Sequence, residues 1–306
     1  MRDPFHAGEL AAQAKAGEAD HALLNSRMIA DTIMRPALPF MTQQPWVLLG
    51  GPDGSGNLWC SALVGEPGFV SPDAQGTLVG FDLGRAPFHP ADPLFPGLQA
   101  GRPLGGLFIE LATRRRLRVN GTVTAMSAEA IVLAVRESFP NCPKFIQKRS
   151  FAGLHGESRS EAQPRRGSRL GDAERAWIQG ADTLFLTTIH PECGADTSHR
   201  GGQPGFVEVL DATTLRLPDY PGNSLFQSFG NLEVDPRMGL LLPDFRTGRL
   251  LHLSGTARVD WTADDPEGRT GGTGRFLTFH LARWALTPPA AGSPRWTFLE
   301  ASPLNP

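Results

Sequence analysis

VLLGGPDGSGNLWCSALVGEPGFVSPDAQGTLVGFD (47–82) and LFLTTIHPECGADTSHRGGQPGFVEVLDATTLRLPD (184–219) superimpose without a gap when the chain is slid by 137 residues, with ten of the 36 positions identical. Unrelated sequence would give about two or three identities at one offset, and the run PGFV stands in both copies. With small gaps the match continues: Leu94-Phe95 lies over Leu225-Phe226, and GGLFIELATRRRLRVNGTV (105–123) over MGLLLPDFRTGRLLHLSGTARV (238–259). Each copy reads as short apolar runs broken by turn chemistry, WVLLGG then PDGSGN then LWCSALVG being a hairpin signature. Asn120-Gly121 and Ser254-Gly255 fall at matching points of a strand, where a glycine marks a bulge or a close backbone approach.

Half a dozen short strands with one or two brief helices, in roughly 100 residues per copy, make a small closed or split barrel. No strand is followed by an amphipathic helix, which argues against a parallel α/β sheet. The expected fold is therefore mainly β: two tandem β-barrels with short helices. The expected organisation is an N-terminal helical arm at 1–36, a first barrel at 37–155, a polar linker at 156–169 and a second barrel with a C-terminal tail at 170–306. In the arm, Asn25 is expected to cap a helix over Ser26–Met34 that Pro36 ends.

The chain of 306 residues is 40% hydrophobic and 20% charged, with 35 Gly and 27 Pro, which favours turns over long helices. A net charge of −2 leaves no overall attraction for nucleic acid or an anionic membrane. No apolar run approaches the roughly 20 residues of a membrane span, and MRDPFHAGELAAQAKAGEAD has no signal-peptide core, so a cytoplasmic protein is expected. Cys60, Cys142 and Cys193 are too few and scattered for a disulfide framework. His190, Cys193 and His199 lack a zinc spacing and a fourth ligand, so no metal is expected.

Chemistry concentrates in the second copy. Where the first has Ser61-Ala62-Leu63, the second has Ser198-His199-Arg200 followed by two glycines, which suits an anion; a charged edge strand with a glycine bulge is the plainer alternative. In PDYPGNSLFQSFGNL (218–232), Pro221-Gly222 forces a turn and Asn223 or Ser224 is expected to cap a short helix whose free N–H groups face an anion. In FPNCPKFIQKR (139–149), Pro143 suits the first turn of another short helix carrying Lys144, Lys148 and Arg149 on one side, with Cys142 read as a partly buried structural thiol. Arg114-Arg115-Arg116 reads as a solvated hairpin tip.

These segments resemble the pyridoxamine 5'-phosphate oxidase-like, FMN-binding split-barrel proteins, and most closely a predicted flavin-nucleotide-binding branch. Residues 195–259, with a serine-x-arginine-glycine strand and a P-D-x-P-G-N helix, carry the resemblance. The Cys-Pro-Lys segment at 139–149 adds to it, and FLEASPLNP (298–306) is similar to the tail of a two-barrel subgroup. The resemblance implies tandem FMN-binding split barrels forming a pseudo-dimer. It implies FMN phosphate on Ser198, Arg200, Asn223 and Ser224, with Asp219, Gln227 and Asn231 nearby and Lys144 reaching across from the first barrel. Leu63 in place of an arginine implies one FMN per chain. His199 stands where the family usually has proline, and as a histidine titrating near neutrality it is the candidate acid or base.

A flavin-dependent oxidoreductase acting on a small molecule is the first expectation; a non-catalytic flavin carrier, an electron-transfer partner or a haem-binding barrel is the second, since the family hosts several chemistries. A structural pseudo-dimer with two empty barrels is a third. Expected partners are a small-molecule substrate or electron donor and a second copy of the chain, with no nucleic acid and no membrane.

Overall fold

The computed structural model describes residues 4–155, 163–290 and 293–306. Seven strands of the first half, β1 (Trp46–Pro52), β2 (Leu58–Val64), β3 (Val70–Pro72), β4 (Leu78–Asp82), β5 (Pro103–Glu110), β6 (Arg115–Met126) and β7 (Ala130–Pro140), form an antiparallel sheet in the order β2-β1-β5-β6-β7-β4-β3. A ribbon strand, β8 (Lys148–His155), and a short strand, β9 (Arg165–Gly167), lead into the second half. There β10 (Thr183–His190), β11 (Gly194–Gly201), β12 (Glu208–Val209), β13 (Thr214–Pro218), β14 (Arg237–Pro243), β15 (Leu250–Asp260) and β16 (Phe276–Thr287) repeat the order as β11-β10-β14-β15-β16-β13-β12, with β9 paired to β16. The last strand, β17 (Ser293–Glu300), pairs with β8. Both sheets are open and coil into split barrels. Of the expected linker, residues 156–162 lie outside the described residues, while 165–167 form β9.

Period-two alternation explains why these runs are strands and where they pack. In β1, Val47 and Leu49 enter the first barrel's core, while Trp46 and Leu48 point the other way into a cluster with Leu107, Ile109, Phe185 and Leu241 that joins the two sheets. A strand buried on both faces reads as a continuous apolar run, as WVLLGG does. The matching bulges are present: the β6–β7 register shifts between Asn120 and Gly121, and the β15–β16 register between Ser254 and Gly255. A side chain at Gly121 or Gly255 would strike the carbonyl oxygen of Ala134 or His280.

The sheets meet reciprocally, β11 against β5 and β6, and β2 against β14 and β15. Glycines set their separation. A Cβ at Gly105 would lie 2.8 Å from the amide nitrogen of Thr197, and one at Gly239 2.8 Å from the carbonyl oxygen of Leu58. The two positions are equivalent, because each follows the residue paired with its bulge glycine, Leu104 with Gly121 and Met238 with Gly255. Gly50 faces Thr187, its own counterpart 137 residues on, and a side chain there would run into the threonine Oγ1.

Helices are few and lie mostly outside the sheets. The arm holds α1 (Ala7–Ala16), started by a capping box between His6 and Glu9 and closed by Gly17 at φ 69°, then α2 (Ala19–Asn25). Asn25 thus ends a helix instead of starting one: its amide donates to the carbonyl of Asn223, and only a 3-10 turn, Ser26–Met28, follows. After α3 (Leu38–Thr42) and α4 (Asp172–Gly180), α5 (Gln227–Val234) crosses α1 where Gly8 meets Gly230 without room for a Cβ on either. The helix expected after Asn141 does not form. Phe145 sits at φ 65°, and the carbonyls of Cys142 and Ile146 accept from Arg116 and Arg114 instead of from helical amides.

If glycine contact sets the sheet separation, Gly105→Ala overpacks the interface and costs about 1–3 kcal/mol, whereas Gly54→Ala, with open space around it, leaves the denaturant midpoint unchanged. Equal midpoints for the two variants would refute this.

Candidate functional site

β6 places Arg116 and Arg118 two residues apart, hence on one face of the first sheet, and β11 of the second sheet runs across that face. Arg118 Nη1 donates to both carboxylate oxygens of Asp196 at 3.1 and 3.0 Å. Asn120 Nδ2 and Ser228 Oγ donate to the same carboxylate, at 3.0 and 3.1 Å. The carboxylate side of this buried cross-sheet pair is thus filled by four hydrogen bonds, which offsets its desolvation.

Beside it opens a cavity of about 90 Å³ at the junction of the halves. Its wall gathers Lys144, His199, Arg200, Asp219, Asn223, Ser224 and Gln227 from the sequence-based candidates, and adds Arg116, Arg118, Ser228 and Arg275. Ser198 stands just behind, accepting from Arg200 Nη1 at 3.3 Å. Arg116 is therefore no solvated tip: its Nε donates to the Cys142 carbonyl at 2.8 Å, and Nη1 lies 3.3 Å from His199 Nδ1. The visible signal for it was the alternation Arg116-x-Arg118, which points both guanidiniums the same way.

The charges do not balance. Arg275 Nε donates to Asp219 at 2.9 Å and its Nη1 to Glu18 at 3.0 Å. Arg116 and Arg200 make no carboxylate hydrogen bond, and Lys144 makes none of any kind among the described residues. Burial pulls Arg116 down to about 10 and lowers Arg200 as well, with neighbouring arginines adding to both, while burial raises Asp219 against the pull of Arg200 and Arg275. Three buried polar atoms of this wall have no hydrogen-bond partner: His199 Nε2, Arg118 Nε and Gln227 Nε2. Buried polar atoms are almost always paired, so three orphans in one wall point to a missing polar ligand.

His199 does not titrate near neutrality as expected. Burial first, and then Arg116, Arg200 and Arg149, hold it well below 6.5. Because Arg116 can only donate, Nδ1 is the acceptor and the ring proton sits on the orphaned Nε2. In these surroundings His199 is neutral, with Nε2 as its donor.

Two further expectations change. Asn223 and Ser224 do not cap α5, which begins at Gln227 behind a left-handed Phe226. Asn223 Oδ1 instead accepts from the Leu225 amide at 3.3 Å, and Ser224 Oγ donates to Glu18 at 2.6 Å. Asn231, one turn beyond Gln227, is outside this wall: its amide donates to Thr188 at 3.0 Å and its oxygen lies 3.1 Å from His6 Nε2. The arm has taken it. Of the four non-glycine residues with left-handed backbone among those described, Phe145, Ser224 and Phe226 are in the cavity wall and Arg114 stands two residues from Arg116. Such conformations persist where surrounding structure enforces them, often at functional sites.

The equivalent place in the other half is closed. Its cavity is about 30 Å³, with Leu250 where Arg116 stands and Ala62 where His199 stands. Behind them His252, in the place of Arg118, is held by the Cys60 carbonyl and Thr287, each at 2.9 Å. Asp92 keeps the loop geometry of Asn223, accepting from the Leu94 amide at 2.9 Å, and also receives Ser61 Oγ at 2.5 Å.

No family model and no curated protein matches the chain. Solved structures similar to it include HupZ of Group A Streptococcus, 14% identical with a TM-score of 0.33 over 40% of this chain and 98% of that one. A putative pyridoxamine 5'-phosphate oxidase of Lactobacillus delbrueckii is 12% identical, with a TM-score of 0.31 over 39% and 94%. HutZ, the heme storage protein of Vibrio cholerae, is 15% identical, with a TM-score of 0.28 over 40% and 97%. The fold assignment rests on the strand order and not on these likenesses. No helix among the described residues is long and apolar enough to cross a membrane.

The arm beside the site carries a testable pH signature. Burial pushes Glu9 up to about 8, with Glu137 and Asp196 adding to it, although the His6 amide donates to its carboxylate. The unfolded chain releases this proton near 4.5, so between 4.5 and 8 the folded state binds more protons and stability falls as pH rises, the full penalty being present above 8. Glu9→Gln keeps an acceptor for His6 and removes the charge. It is expected to flatten that decline, gaining roughly a few kcal/mol at pH 9 and little at pH 4; parallel stability–pH curves for the two proteins would refute the shift.

Proposed function

We propose that the cavity between the two sheets holds the phosphate of flavin mononucleotide and that the protein is a flavin-dependent oxidoreductase acting on a small molecule. The observation that carries the reading is the electrostatic surplus in a small space: Arg116 and Arg200 half-buried without a carboxylate hydrogen bond, Lys144 without any among the described residues, and three orphaned polar atoms in the same wall. The cavity's volume of about 90 Å³ is several times the roughly 10–15 Å³ that one water needs. That leaves room for an anionic headgroup.

Arg116, Lys144 and Arg200 would bind the phosphate as charge-assisted donors. Ser224 and Asn223 supply neutral polar contacts at the rim. Neutral His199 and Gln227 would orient the bound molecule by donating from Nε2. A bound flavin supplies hydride or electron exchange; the protein's part is orientation and hydrogen bonding. With the counterpart cavity closed by Leu250 and Ala62, one flavin per chain is expected.

Arg116→Ala and Arg200→Ala should each weaken FMN binding about 10- to 100-fold, the scale of a lost charged hydrogen bond, in a flavin-fluorescence titration. Arg283→Ala, exposed on β16, should change nothing. A wild-type protein that takes up no FMN would overturn the reading.

A further inference from the structure

We propose that Glu18 of the N-terminal arm is an internal anion that competes with the ligand's anionic group, so that filling the cavity releases the arm at residues 18–25. The proposal rests on reading the cavity as an anion site.

Glu18 holds two members of the cavity wall at once: Oε1 accepts from Arg275 at 3.0 Å and Oε2 from Ser224 at 2.6 Å. Arg275 does not need it, being already paired with Asp219 at 2.9 Å. One guanidinium thus carries two carboxylates while Arg116 and Arg200 nearby carry none. Glu18 also works against Asp219, adding to the burial that raises the latter's carboxyl. A ligand anion entering beside them makes a third negative group, and one of the three must yield.

The exposed one yields at least cost, since it regains water. The Glu18 side chain is 25% exposed and that of Asp219 11%. The donors it vacates, Arg275 Nη1 and Ser224 Oγ, are then free for the ligand, so the exchange leaves no buried donor unpaired. The rest of the arm divides cleanly around this point. α1 is fixed to α5 by the Gly8–Gly230 crossing and by Gln13, whose amide donates to the Leu225 carbonyl at 3.2 Å. α2 has only seven residues and no side-chain N-cap bond; beyond Glu18 it is held by Ala22, packed with Phe139 and Leu225, and by Asn25, which donates to the Asn223 carbonyl at 2.8 Å. The release is therefore confined to α2.

Inorganic phosphate titrated calorimetrically into the full chain tests this. Glu18→Gln should tighten phosphate binding about 5-fold or more, the scale of one like charge removed a few ångströms away in a partly solvated site. In the wild type, amide hydrogen exchange over residues 18–25 should accelerate when phosphate is added. Equal affinities, or weaker binding by Glu18→Gln, would make Glu18 a fixed part of the wall and overturn the proposal while leaving the anion site intact. Absence of phosphate binding in both proteins would instead fail the anion site itself, and this proposal with it. If the variant does not fold, exchange in the wild type decides: acceleration supports release, and slowing or no change overturns it.

Discussion

The near-contact of backbones at Gly105 against Asp196–Thr197, and at Gly239 against Leu58–Trp59, governs what the molecule can build between its halves. Side chains of ordinary size at these two positions would hold the sheets apart. β6 could then no longer reach β11, and Arg118 could not close on Asp196. That ion pair is buried, and a buried pair repays its desolvation only with good geometry and further hydrogen bonds. Asn120 and Ser228 supply them, one from each half. The cavity wall is therefore an interface product: Arg116 and Arg118 come from the first sheet, and His199, Arg200 and Ser228 from the second half.

The interior of that wall runs against the usual economy of buried charge. Half-buried guanidiniums beside other guanidiniums have their pKa values lowered, as Arg116 and Arg200 do, and a fold selected only for stability would pair or replace them. Phenylalanine faces soften the cost, with Arg118 over Phe139, Arg200 over Phe229 and Arg275 over Phe226. The C-terminal tail secures the segment that brings Cys142 and Lys144 to the wall, since Gln147 accepts from the Ser302 amide at 2.8 Å. Strained backbone at Phe145, Ser224 and Phe226 lies in the same few residues. Local cost is concentrated where the two halves and both termini converge.

Strand content, the repeat of the strand-and-turn pattern and the bulges at Gly121 and Gly255 were legible because they depend on local alternation and on glycine, whose roles are written in neighbouring residues. Lys144, His199, Arg200, Asp219, Asn223, Ser224 and Gln227, drawn from two segments by resemblance, line one cavity because those segments fold together. What escaped depended on partners distant in sequence. Arg116 looked like a hairpin tip because nothing near it in sequence shows β11 lying across it. Asn231 shared a helix face with Gln227, yet His6, 225 residues away, claimed it. The helix expected after Asn141 does not form where Arg114 and Arg116 draw off the carbonyls of Ile146 and Cys142, and Asn25 ends a helix with its amide on the carbonyl of Asn223.

Gly50 opposite Thr187 carries a consequence of its own. In an assembly of two identical chains, a residue on the symmetry axis must face a copy of itself, so a bulky side chain there has to make room on both sides at once. With both halves in one polypeptide, one partner can shrink while the other grows, and every position becomes free to drift without its twin. Leu250 opposite Arg116, or Ala62 opposite His199, is the same freedom exercised at the wall: a substitution that would have erased both copies of a site in an identical pair erases one and spares the other.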